Sequence, residues 1–197
     1  MPKSYSSFTY EDLDKLNLKV QLIQAFIDIT PIEPTDFLVQ TLDINSRQVL
    51  TTEKAKSEFI IAPILYEIAR KNKEKVSFFS GYNFNVDKEL GLKGFCDFIF
   101  TKYPRITVIK EPVLCVVEAK NDNVEKGIPQ CIAEMYAARL FNEKRNKDIK
   151  VIYGCVTFGF QWVFLKMEND LVLRDDKIYE FNELPYILGI LQHIIDS

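Results

Sequence analysis

Histidine is nearly missing from this chain: one residue, His193, stands close to the C-terminal end of 197 residues. A Ser-His-Asp or Cys-His catalytic set would have to recruit that terminal residue, so such chemistry fits poorly. Paired cysteines are missing too. Cys96, Cys115, Cys131 and Cys155 lie inside apolar stretches without CxxC spacing, which argues against a zinc site or a disulfide framework, and they read as buried free thiols. No apolar run approaches the length of a membrane span, and Met1 to Tyr10 carries no basic segment followed by an apolar one. The expectation is a cytoplasmic protein with no membrane partner. A basic surplus is also absent. The net charge of -3 is unlike that of proteins that grip nucleic acid without discrimination. Two local basic runs remain, Arg70-Lys71-Asn72-Lys73-Glu74-Lys75 and Lys144-Arg145-Asn146-Lys147, which suit helix ends and turns or a local patch.

What is present is the balance of an ordinary globular domain, 47% hydrophobic and 27% charged, with no repeat, linker or low-complexity segment. The length suits one domain with a sizeable core. The chain is organised around Val113-Leu114-Cys115-Val116-Val117-Glu118-Ala119-Lys120, an apolar run that ends with a carboxylate and an amine two residues apart. Strand side chains alternate between faces, so Glu118 and Lys120 point one way and Ala119 the other. Burying charge is costly unless the charges pair or bind a metal. One strand earlier, Asp97 interrupts the buried-strand pattern of Gly94 to Phe100, and pairing of the two strands would stand it beside Glu118. Two carboxylates and a lysine then converge, a set able to hold a divalent cation through hard oxygen ligands.

Around this centre, apolar spacing predicts helices over Tyr10–Ile29, Glu53–Arg70 and Ile128–Asn142, and a closing helix from Glu183 or Leu184 to Ile195 that Gly189 weakens. Thr51 or Thr52 caps the second helix, and Pro63 should kink or break it near Ala62. Strands are expected at Asp36–Leu42, Val76–Val86, Val151–Thr157 and Gln161–Met167, with Leu171–Phe181 as an edge hairpin or strand. The fold class is α/β, a single domain with a central mixed sheet flanked by helices.

An Asp on one strand followed by Glu-x-Lys closing the next resembles the signature of the PD-(D/E)XK nuclease superfamily, whose fold is restriction endonuclease-like. Two outer features also match, Glu58 on the helix before the strands and Gln130 at the start of the helix after Lys120. The resemblance covers about residues 53–157, in the order helix, three strands, helix, strand, and residues 1–52 and 158–197 are flanking elaborations. Cys96 stands where the family's name places a proline. The resemblance implies Mg²⁺ or Mn²⁺ held by Asp97 and Glu118, with the Ala119 carbonyl as a third ligand and Glu58 ligating directly or through water. It also implies that Lys120 positions the attacking water and steadies charge on a phosphodiester, and that Gln130 orients substrate or lysine. The expected activity is that of an endonuclease, with nucleic acid, DNA foremost, as substrate, and a homodimer is compatible with it. The second reading is a noncatalytic binding module of the same fold with an acidic cleft, in which Glu118 and Lys120 are a strand-end ion pair and Asp97 caps a turn.

Overall fold

The structure is a computed structural model describing residues 3–110, 112–147 and 149–197. Its centre is a mixed sheet of eight strands. The organising run forms β4 (Val113–Ala119), every residue of which is buried. Before it come β2 (Val76–Asn83) and β3 (Phe95–Lys102), and after it β5 (Val151–Thr157), β6 (Gln161–Glu168), β7 (Leu171–Asp175) and β8 (Tyr179–Glu180). With β1 (Lys19–Ile23) at one edge the order is β1-β7-β6-β5-β4-β3-β2, and β8 pairs with β6. Two pairs are parallel, β4 with β5 and β1 with β7. A parallel return requires a crossover, and α5 (Ile128–Glu143) supplies it between β4 and β5. Among the described residues no helix is long and apolar enough to cross a membrane.

Helices cover both faces, which is why β4 is apolar on both sides. On one face, α4 (Ala62–Lys71) and α6 (Leu184–Asp196) bring Ile64, Leu65, Ile68, Ile187, Leu188 and Leu191 against Phe98, Phe100, Val117, Trp162 and Phe164. On the other, α5 sets Ile128, Ile132, Met135 and Ala138 against Ile99, Val116, Ile152, Val156 and Val163. Gly189 in α6 has a packing reason, since a β-carbon there would come 2.4 Å from the Thr30 carbonyl oxygen. The four cysteines are free and buried.

The expected helix over Glu53–Arg70 exists with a local rearrangement. A short α3 (Glu53–Lys56), capped by Thr52 Oγ1 accepting from the Ala55 N–H, passes through a π-helical turn at Ser57–Ile61 into α4. Pro63 explains the turn: it has no N–H for the carbonyl of Phe59 four residues earlier, and its ring needs room. Asn45 Nδ2 donates to that carbonyl instead, at 2.8 Å. Capping a carbonyl from outside replaces the bond that proline removed.

Three expectations are corrected. The helix expected over Tyr10–Ile29 is only α1 (Tyr10–Lys15), because Asn17 turns the chain at φ 58° and Lys19–Ile23 pairs with β7. Val20 and Ile23 suit either period, and the available partner strand decided. Asp36–Leu42 is not a strand but the start of α2 (Asp36–Ser46), where Thr35 Oγ1 caps the Leu38 N–H and Leu38 and Leu42, four apart, are the buried residues. Of the two alternatives for Leu171–Phe181 the strand is found and the edge hairpin is not: β7 lies between β6 and β1, and β8 pairs with β6.

Asn142, 1% exposed, pins the beginning of β4 as a strand would, accepting from the Val113 N–H and donating to the Val113 carbonyl, both at 2.9 Å. Asn142→Ala would leave two main-chain groups unpaired in the core. A loss of about 2–4 kcal/mol is expected in urea unfolding, and an unchanged midpoint would contradict this account of the strand's anchoring.

Candidate active site

The site begins where strand pairing between β3 and β4 stops. Their last paired residues are Phe98 and Val117, and one further step along that register sets Asp97 opposite Glu118. There the ladder gives way to a side chain: Asp97 Oδ2 accepts from the Ala119 N–H at 2.8 Å. On its other side β4 continues in parallel register with β5, and the Lys120 N–H donates to the Thr157 carbonyl at 2.8 Å. Both neighbours of β4 therefore hold the Glu118-Ala119-Lys120 backbone, and their pairing aims its side chains.

Lys120 Nζ forms an ion pair with Glu118 Oε1 and donates to Gln130 Oε1 at 3.1 Å. Gln130, on the first turn of α5, in turn donates from Nε2 to Glu134 Oε1 at 3.1 Å. The crossover helix thus covers the site from the face of the sheet on which it packs. Room for the lysine stem comes from Gly127, just before α5: a β-carbon there would lie 2.6 Å from Val156 Cγ1, 3.0 Å from Lys120 Cγ and 3.1 Å from Lys120 Cε.

Asp97 and Ala119 line a cavity of about 310 Å³ together with Glu53, Ser57, Glu58, Ala62, Ser80 and Gly81. Glu58 sits on its outer wall. Its side chain is 55% exposed and pairs with Lys54 at 2.7 Å, a contact of small energetic weight. Glu53, at the start of the same helix, is an acidic group whose charge bears on Lys120.

Burial sets the electrostatics. The carboxyl of Asp97 is raised from its usual range chiefly by burial, with the Ala119 N–H and the Lys120 charge opposing. Glu118 is raised by burial and by the Asp97 charge, again opposed by Lys120. Lys120 is raised: desolvation is the largest single influence and would lower it, but the charge and hydrogen bond of Glu118, with the charges of Glu53 and Asp97, together outweigh it. Glu134, 0% exposed, is raised well above an ordinary glutamate by burial and then by Glu118. The directions for Glu118 and Lys120 pull against each other, and their direct contact decides for an ionised pair. Glu134, fully buried and with no cation of its own, is held toward its neutral form by that burial and by the charge of Glu118. The Cys96 and Cys131 thiols are pushed up by burial and by the nearby Glu134, so neither is a nucleophile here.

The residues read from the sequence thus fall into two groups. Asp97, Glu118, Lys120 and Gln130 come together with the Ala119 backbone between them, whereas Glu58 stands at the cavity wall engaged with Lys54. Gly127 was missed, and Glu134 was read only as sharing a helix face with Gln130, with no role in the site. Glu134 shares a helix face with Gln130, four residues on, and a glutamate within an otherwise apolar helix was the available signal; for Gly127 the clue was a glycine just before a helix. The basic runs are largely spoken for: Arg70 and Lys71 pair with Glu67, Lys75 with Asp196, and Arg145 lies over the Phe141 ring. His193 packs edge-on to Phe26 and Tyr153.

Among the described residues no group of three or more His, Cys, Asp and Glu side chains is arranged to hold a metal ion. Two hard oxygen donors are nonetheless adjacent, and Glu118 Oε2 is buried without a hydrogen-bond partner. An orphaned carboxylate oxygen of this kind fits a cation held by Asp97 and Glu118, with main-chain or solvent oxygens completing its shell. No protein-family model matches this chain, and no curated protein matches it.

Two outcomes follow from the packing of the site. Gly127→Ala should destabilise the protein by about 1–3 kcal/mol in urea unfolding, since the new methyl group meets Val156 and the Lys120 stem, and a neutral result would refute the tight approach. Glu134 supplies a pH test. Its native pKa is raised, so the folded state holds a proton that the unfolded chain releases near pH 4–5; that contribution is complete below this range and is lost as pH rises toward the native value. Wild type should therefore lose stability relative to Glu134→Gln by roughly 1 kcal/mol per pH unit above pH 5. Parallel stability curves for the two proteins would contradict a proton on Glu134.

Proposed function

We propose that the protein is a metal-dependent nuclease that hydrolyses phosphodiester bonds of nucleic acid, with DNA as the favoured substrate. The observation that carries the reading is the meeting of Asp97 and Glu118 at the ends of adjacent strands, with Lys120 two residues on and bound to both Glu118 and Gln130. The element order around it, helix, three strands, helix, strand from Glu53 to Thr157, supports the same reading, being the order of the PD-(D/E)XK superfamily that the motif resembles.

Asp97 and Glu118 would hold Mg²⁺ or Mn²⁺, with the Ala119 carbonyl beside them. Such a cation, when bound, activates water and offsets charge on a phosphoryl oxygen. The protein's own groups do the rest. Partly buried Lys120 presents a compact positive charge in a low-dielectric setting, where its attraction for an anion is larger than in water. Directed at a phosphodiester, that charge counts most as negative charge builds on the phosphoryl oxygens, and it orients the attacking water. Gln130 fixes the ammonium from the helix side, and the Ala119 N–H holds Asp97 in one rotamer. Glu58, paired with Lys54 at the wall, would act on a cation through water.

One observation favours the other reading, a noncatalytic module with an acidic cleft: Glu118 is already paired with Lys120, as a structural strand-end ion pair would be. Cleavage of plasmid and single-stranded substrates with Mg²⁺ and Mn²⁺ separates the two. Lys120→Ala should abolish turnover yet keep nucleic-acid affinity within about tenfold, roughly 1.4 kcal/mol for one phosphate contact. Lys120→Arg should not restore turnover, because a planar guanidinium does not reproduce a compact charge in a tight site. Wild-type protein that cleaves neither DNA nor RNA with either metal would leave the binding module as the better description.

A further inference from the structure

Glu134 carries a carboxyl group into the core on the side of α5 that it shares with Gln130, Cys131, Ala137 and Ala138, the last three fully buried. An apolar residue there would spare the desolvation of a polar group, so its presence asks for a role. Its contacts supply one. Gln130 has a carbonyl end and an amino end, and which end meets Lys120 decides whether the ammonium finds an acceptor or a repelling donor. Glu134 Oε1 accepts from Gln130 Nε2 at 3.1 Å, which turns Gln130 Oε1 toward Lys120 Nζ, also at 3.1 Å. Gln130 is only partly buried and its amide would otherwise be free to turn over. Glu134 and Glu118 are both buried and their carboxyls lie against each other, with no other residue donating to either Oε2, so Glu134 is aimed into the site and not into solvent.

We propose that Glu134 is a positioning residue of the site: it selects the orientation of the Gln130 amide and through it holds the Lys120 ammonium beside Glu118. The kinetic consequence rests on the nuclease reading, whereas the geometric one does not, and the test reads the two apart. Steady-state cleavage with Mg²⁺ is measured for wild type, Glu134→Met, Glu134→Gln, Gln130→Ala and the double variant Gln130→Ala/Glu134→Met. In parallel, the Gln130 side-chain amide of the metal-free proteins is followed by ¹H–¹⁵N NMR, its signals identified by their loss in Gln130→Ala.

Glu134→Met should lower kcat by about 10- to 100-fold with KM changed less than about threefold, the scale of losses seen when a partner behind a site residue is removed. Glu134→Gln, which keeps an acceptor for Gln130, should recover most of that loss. The double variant should be no worse than Gln130→Ala alone, because Glu134 acts through Gln130. The Gln130 amide protons should be protected from exchange in wild type and in Glu134→Gln and exposed in Glu134→Met. Wild-type kcat in Glu134→Met, losses that multiply in the double variant, or an unaltered Gln130 amide would each overturn the proposal. If Glu134→Met does not fold, Glu134→Gln decides: a loss as large as that of Gln130→Ala overturns it, and retained activity with a protected amide supports it. If wild type cleaves nothing, the functional reading fails, and the amide signals alone judge the positioning role.

Discussion

One ammonium group faces three carboxyl groups at the end of the central strand, and the local structure is arranged around that imbalance. Lys120 pairs with Glu118, Asp97 takes a main-chain N–H, and Glu134 is left with the amide of Gln130. In water such a cluster would cost little and do little. Here burial and mutual repulsion hold all three carboxyls above their usual range, so the cluster resists full ionisation, and two buried oxygens, Glu118 Oε2 and Glu134 Oε2, have no partner outside it. Unsatisfied buried oxygens of this kind are rare in folded proteins because each costs stability. The offset comes from the two apolar layers on either side of β4.

The fold makes the cluster possible through its two kinds of strand pairing. An antiparallel neighbour, β3, delivers Asp97 with no long connection, whereas the parallel neighbour, β5, requires a crossover, and the crossover helix delivers Gln130 and Glu134. Three separate elements therefore converge on the last residues of β4. The helix that begins at Glu53 lines the cavity beside Asp97 through its π-turn, with Glu53 and Glu58 both on the wall and the charge of Glu53 bearing on Lys120. Pro63 and the external cap from Asn45 belong to that turn, so a backbone constraint shapes the wall of the cavity formed by Ser57, Glu58 and Ala62.

Much of this was legible from local pattern. A strand buried on both faces announces itself as an unbroken apolar run, and β4 and β5 began and ended where the residues said, with Lys120 just past the end of β4. The regular apolar stripe of Ile128, Ile132, Met135 and Ala138 likewise marked α5. Glu118 and Lys120 were visible as a pair because a strand's two-residue period leaves no other arrangement. The N-terminal quarter was not legible. Leu16, Val20 and Ile23 satisfy both a helical and an extended spacing, and Thr35 reads as a strand former or as a cap.

The sequence by itself determined the periodic elements, the burial of the cysteines and the placement of charge at the end of one apolar strand, because those depend on neighbours within a few residues. Tertiary structure alone decided that Lys19–Ile23 would be a strand, since only the edge of β7 offered it hydrogen bonds. It also decided which acid on the Glu53–Lys71 segment bears on Lys120, and that Glu134 would stand behind Gln130, facing the site. Helix rotation about its axis, sheet register and the packing distance between α5 and β4 set those outcomes, and each of them is fixed by side chains far apart in the chain.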